Sequence, residues 1–170
     1  NPLFAQCGEV NFTEGSGIEC VQSNADALVA KIRRKYKEYG INEKPFVVVK
    51  ADNGTYGMGI MTVRDAKDLE VLNRRTKNKM SVIKDGQEVT EVIIQEGVPT
   101  NERMNDAVAE PVVYMLDRYV VGGFYRVHAE RGIDENLNAP GSAFVPLAFA
   151  ESTHLPRAGA KPGASAPNRF

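Results

Sequence analysis

Residues Pro45 to Val63 read PFVVVKADNGTYGMGIMTV: an apolar run ending in Lys50, a loop carrying Gly54, Gly57 and Gly59, and a second apolar run. Phe46 to Val49 is continuously apolar and largely β-branched, which favours a buried strand because such side chains pack well on a pleated surface. Lys50 then stands at a strand end. The three glycines, with Asp52 and Asn53, make a loop that can adopt positive φ and present bare backbone N–H groups to an anion. The same composition suits a hairpin turn between two antiparallel strands, and the stretch alone favours neither reading.

The order of parts narrows the choice. A Walker loop places its lysine after the glycines and follows it with Ser or Thr, and a Rossmann fingerprint puts its glycines between a strand and a helix. The protein-kinase pattern has the glycine loop first. In this chain the lysine strand comes first and the glycine loop folds back from it into Ile60 to Val63. Asp65 then opens a helix with Ala66, Leu69 and Leu72 on one side, running to about Thr76. Val82 to Lys84 and Glu88 to Gln95 flank Asp85-Gly86, a dipeptide suited to a type I′ turn, and predict a hairpin. Its second arm leads into Gln95-Glu96-Gly97-Val98, where a strand end followed by glycine lets backbone N–H and C=O groups face a flat ring.

Pro99 to Asn105 reads as a polar surface loop. Pro111 to Leu116 and Tyr119 to Val121 are apolar strands around Asp117-Arg118, and Gly122-Gly123 predicts a tight turn into Phe124 to His128. Alternation places Phe124, Arg126 and His128 on one face. Arg126 has the fork geometry that holds phosphoryl oxygens; the alternative is an exposed arginine pairing with Glu130 or Asp134, and the phosphoryl role is preferred to it. His128 alone reads as structural. The Gly132 to Gly141 loop carries Asp134, Glu135, Asn136 and Asn138, hard oxygen donors that suit Mg²⁺ and equally suit an ordinary turn. Ala143 to Phe149 is one more strand.

Toward the N-terminus, Asn1 to Gln22 shows no sustained period and reads as a connection. Ser23 with Asp26 three residues on resembles a capping box, and Leu28, Val29, Ile32, Tyr36 and Tyr39 recur at helical spacing up to Gly40. The basic residues Lys31, Arg33, Arg34, Lys35 and Lys37 read as a solvated helix face. With 170 residues, 42% of them hydrophobic and 25% charged, the chain can bury a core. A net charge of -1 argues against nucleic-acid binding driven by phosphate neutralisation. No apolar run is long enough to span a bilayer and no secretory leader is visible, so the expected location is cytoplasmic. Cys7 and Cys20 make no disulfide framework in a chain this large and read as free thiols.

The lysine strand and glycine loop, with Ile93-Ile94-Gln95-Glu96-Gly97-Val98, Gly122-Gly123-Phe124-Tyr125-Arg126-Val127-His128 and Asn136-Leu137-Asn138-Ala139-Pro140-Gly141, resemble the ATP-grasp fold. More narrowly, the whole string resembles an internal part of the proteobacterial-type glutamate–cysteine ligase family. The resemblance implies an α+β fold with antiparallel sheets and packed helices: a connecting segment over residues 1–22, a nucleotide-binding region over 23–155 and a flexible tail over 156–170. It implies ATP held with Mg²⁺, Lys50 and the Gly54, Gly57 and Gly59 loop on the phosphates, Gln95, Glu96 and Val98 at adenine, and Arg126 with Asn138 at the transferring phosphoryl group. The main metal carboxylates are expected beyond Phe170, leaving the metal ligands and the oligomeric state unassigned. The implied substrates are glutamate, cysteine and ATP, joined through an acyl phosphate, with neither nucleic acid nor membrane as partner. Another ATP-grasp carboxylate–amine ligase, or a nucleotide-binding module without turnover, fits the same residues.

Overall fold

The computed structural model describes residues 2–52, 54, 58–65, 67–70, 72, 74–81, 86 and 88–147. The chain forms two compact units, Asn1–Pro99 with Asp134–Asn136, and Thr100–Ile133 with Leu137–Phe170. Each carries a four-stranded antiparallel sheet, so the α+β expectation holds.

In the first unit the sheet runs in the order β1 (Phe4–Cys7), β4 (Val92–Glu96), β2 (Val47–Ala51), β3 (Ile60–Val63). The two central strands alternate buried and half-buried residues along their whole length. Their register pairs Val47 with Glu96, Val49 with Ile94 and Ala51 with Val92 on one face, and Val48 with Gln95 and Lys50 with Ile93 on the other. The first face packs under α1 (Ile18–Glu38), which contributes Val21, Ala25, Leu28, Val29, Ile32 and Tyr36 to a core shared with Val63, Leu69, Met80 and Val89. Gly40 ends α1 at φ 66, with the Ile41 amide donating to Tyr36 O at 2.8 Å, the 6→1 closure of a Schellman motif.

The segment expected to be a mere connection is structured. β1 pairs along β4, Val10 and Phe12 are buried, and α1 begins at Ile18 rather than Ser23. Gly17, at φ 72, makes the entry: a Cβ there would lie 2.7 Å from Glu9 O, so both its conformation and its neighbour demand glycine. Ser23 and Asp26 are interior helical positions, because packing of Val21 in the core outweighs the local capping signal. Cys7 and Cys20, expected as free thiols, are joined in a disulfide with Cα atoms 6.2 Å apart. Sequence spacing could not show that the end of β1 lies against the first turn of α1.

The helix predicted from Asp65 to Thr76 is two pieces, α2 (Lys67–Glu70) and α3 (Arg74–Ser81), the second running past the expected end to bury Met80. The first arm of the hairpin predicted around Asp85-Gly86 and the tail over 156–170 lie outside the described residues.

The second unit is a meander of β5 (Arg103–Met104), β6 (Ala107–Leu116), β7 (Tyr119–His128) and β8 (Ala143–Pro146). Asn105 and Asp106 both take positive φ and close a two-residue β5–β6 turn where a plain polar loop was expected. Gly122 and Gly123 make no turn: β7 passes straight through them, opposite a register shift between Tyr114 and Met115. On one face a row forms from Tyr114, Phe124 and Phe144, the last pair edge to face at 5.3 Å.

Ile32 is fully buried between α1 and the first sheet. Ile32→Ala is expected to lower stability by about 2–5 kcal/mol, read as a fall in the urea midpoint at unchanged slope.

Candidate functional site

The half-buried face of the first sheet is not covered by α1, and on it two of the nucleotide candidates meet. Lys50 and Gln95 occupy diagonal positions on β2 and β4, within reach of long side chains. Lys50 Nζ donates to Gln95 Oε1 at 2.7 Å. Cross-strand pairing sets Val48, Ile93, Ile60 and Thr62 on the same face. The result is an apolar floor with a cation and a carboxamide at one end, a surface that can take a planar ring beside an anion.

Asp134–Asn136 belongs to this unit as well. Thr62 Oγ1 donates to Asp134 O at 2.9 Å, and Arg64 holds the Asp134 carboxylate with Nε at 2.6 Å and Nη2 at 2.5 Å. Neither Thr62 nor Arg64 stood out in the sequence, since their partner is about seventy residues away and looked like an ordinary loop acid.

Beside Gln95 the chain reverses roles. Glu96 points to the core side, where its side chain is 5% exposed and accepts from Lys35 Nζ at 2.8 and 3.0 Å and from the Leu3 amide at 3.0 Å. Burial pushes this carboxyl up; the Lys35 hydrogen bond, the Leu3 amide and the Lys35 charge outweigh that and hold it below the ordinary carboxylate value. The same hydrogen bond raises the Lys35 ammonium. With its side chain committed there, Glu96 can meet an adenine only through its backbone. Gly97 donates its amide to Phe46 O at 2.9 Å, and a Cβ on Gly97 would overlap the Phe46 ring. Val98 follows, 72% exposed.

The glycine loop is tied at its neck. Ala51 N donates to Gly59 O at 2.9 Å with Gly59 at φ 61, and Gly54 N donates to Ala51 O at 3.1 Å. The Gly54 amide is thus used within the turn rather than offered to an anion. Gly57 lies outside the described residues.

The second unit carries Arg126 and Asn138. Arg126 Nη1 makes an ion pair with Glu110, directly opposite on β6, rather than with Glu130 or Asp134. Its Nε is buried and has no hydrogen-bond partner among the described residues, a donor that fits an anionic oxygen. Asn138 is exposed on a loop latched from both sides. Ser142 Oγ donates to the carbonyls of Leu137 and Ala139, and buried His128 reaches Pro140 O through Nε2 at 3.1 Å. His128 Nδ1 accepts the Glu130 amide at 3.3 Å, which assigns the ring hydrogen to Nε2. His128 therefore joins the end of β7, two residues from Arg126, to the Asn138 loop. A lone histidine in the sequence gives no sign of such a latch.

The profile of the GshA family, glutamate-cysteine ligase, matches residues 1–170. The chain belongs to the glutamate–cysteine ligase family. A solved structure from Methylobacillus flagellatus KT, named as a candidate γ-glutamylcysteine synthetase, is 58% identical with a TM-score of 0.75. The alignment covers 99% of this chain and 39% of that one, so the chain spans about two-fifths of the length of that relative. No curated protein matches the chain. Among the described residues no helix is long and apolar enough to cross a membrane, and no three His, Cys, Asp or Glu side chains are grouped to hold a metal ion.

Two outcomes follow for the Gln95–Val98 corner. Because the folded Glu96 carboxyl titrates below its ordinary value of 4.5, its contribution is present above that pH and is lost as pH falls through the lowered value. Wild type is expected to exceed Glu96→Gln in urea stability at neutral pH, with the gap closing as the pH is taken down below 4.5. Gly97→Ala, which forces Phe46 or the strand end to move, should cost about 1–3 kcal/mol in the same measurement.

Proposed function

We propose that this chain is the nucleotide-binding part of an ATP-dependent ligase that joins the γ-carboxylate of glutamate to the amine of cysteine. The observation that carries the reading is the Lys50–Gln95 hydrogen bond on the half-buried face of the first sheet opposite α1, in a chain of the glutamate–cysteine ligase family. The name given to the Methylobacillus relative supports the choice of substrates.

In this reading Lys50 neutralises phosphate charge, the loop between Ala51 and Gly59 covers the triphosphate, and the backbone from Gln95 to Val98 reads adenine. The Lys50 ammonium gives up its amide partner for a phosphate oxygen and gains a full opposite charge. In the second unit, taken by itself, the Arg126 Nε has no hydrogen-bond partner among the described residues and is a donor suited to an anionic oxygen such as a phosphoryl oxygen, with Asn138 on the neighbouring latched loop. Glu110 holds the rest of the guanidinium in place. A glutamate γ-carboxylate oxygen attacks the terminal phosphorus, ADP leaves, and the cysteine amine displaces phosphate from the acyl phosphate while losing a proton. None of the chain's side chains forms a covalent bond, so positioning and electrostatics supply the rate. Among the described residues no three His, Cys, Asp or Glu side chains are grouped to hold a metal ion, so this reading names no Mg²⁺ ligand, and it places the reaction in the cytoplasm.

The full-length enzyme is expected to form γ-glutamylcysteine and ADP from ATP, glutamate and cysteine. Lys50→Ala, checked for folding by circular dichroism, should lose roughly a hundredfold in kcat/KM. Turnover with a different amine in place of cysteine, or an unaffected Lys50→Ala, would overturn the assignment.

A further inference from the structure

The Cys7–Cys20 disulfide lies outside everything the ligase reading uses, and its two ends differ. Cys7 closes β1 and is 3% exposed, whereas Cys20 is exposed in the first turn of α1, three residues beyond Gly17. Asn24, one turn further on, directs its Nδ2 to both sulfurs, at 3.4 Å from Cys7 Sγ and 3.5 Å from Cys20 Sγ, and is held by Cys20 O at 3.0 Å. One end of the bond thus lies at an exposed residue and the other at a buried one, and a single amide serves both sulfurs.

We propose that Cys7–Cys20 is a reversible exchange site for low-molecular-weight thiols of the cysteine class. A thiolate approaching from solvent reaches Cys20 Sγ. The new S–S bond forms there, the Cys7–Cys20 bond breaks, and Cys7 leaves as a thiolate that the Asn24 amide faces and that takes up a proton. A second thiolate attacks the small-molecule sulfur of the mixed disulfide and expels the Cys20 thiolate, whose charge lies in the first turn of a 21-residue helix where unpaired backbone N–H groups favour it. The balance is one protein disulfide and two thiols giving two protein thiols and one small-molecule disulfide. Disulfides in reducing compartments are typically transient or sensing ones, and the uneven exposure of this pair suits that use.

Opening the bond leaves the fold in place. β1 keeps its ladder to β4, and Leu3 keeps both its hydrogen bonds to Glu96, so what is released is the tie between that edge strand and α1. Reduction then reads out as faster amide exchange in β1 and in residues 8–17, without global unfolding.

The test uses the full-length protein equilibrated with cysteine and cystine at a series of ratios, quenched with iodoacetamide and mapped by peptide mass. The Cys7 and Cys20 peptides are expected to pass together from unlabelled to fully labelled as cysteine rises, with no denaturant. Cys7→Ser should carry one cysteinyl adduct on Cys20, Cys20→Ser should carry none on Cys7, and Asn24→Ala should be reduced several-fold more slowly. Full labelling of both peptides at every ratio, an adduct on Cys7, or reduction only after unfolding would overturn the proposal. These readouts need no turnover, so they stand or fall separately from the ligase assignment.

Discussion

The period-two alternation of the two central strands is the constraint from which the first unit follows. Every second residue of β2 and β4 packs beneath α1, so Val47, Val49 and Ala51 face Glu96, Ile94 and Val92 on the covered side. Lys50 and Gln95 are then obliged to emerge on the uncovered side. A one-residue slip in either strand would bury an ammonium in an aliphatic core and expose valines, a cost of many kcal/mol that pins the register. The chemistry of the open face is in this sense set by the packing of the closed one.

Glu96 is the exception to that pattern, a carboxylate at a core-side position, and its surroundings explain how it is tolerated. It sits at the end of β4, where the Lys35 stem can run along α1 and bring its ammonium in, and where the Leu3 amide supplies a further donor. Helix, edge strand and central strand are therefore tied together at one point immediately before Gly97, whose close approach to Phe46 fixes the next peptide. A strand end held from three sides is a rigid platform whose backbone groups keep fixed positions.

Much of this architecture is legible in the amino-acid sequence because the relevant signals are local. The β-branched run before Lys50, the return strand at Ile60 to Val63 and the glycine closing α1 each depend on a few neighbouring residues, and each appears where expected. What escaped depends on residues far apart in the chain. The start of α1 is decided by Gly17 packing on Glu9 and by Val21 in the core, against a local capping signal at Ser23. Gly122 and Gly123 look like a turn locally, yet the pairing of β6 with β7 on both sides of them keeps the strand straight. The side on which Glu96 falls could be counted from alternation, but that a carboxylate would be accepted there depends on Lys35, sixty-one residues earlier.

The second unit shows the same division between local and distant causes around its candidate residues. Arg126 is placed on a face by simple alternation, but its availability depends on a cross-strand acid that takes only part of the guanidinium. Glu110 engages Nη1 and leaves Nε buried, with no partner among the described residues. A buried guanidinium donor of this kind suits an acceptor oxygen, and most of all an anionic one. His128 adds the complementary feature, since both ring nitrogens are used in joining the end of the arginine strand to the loop carrying Asn138. The end of the arginine strand and the loop carrying Asn138 are thereby mechanically linked through one imidazole.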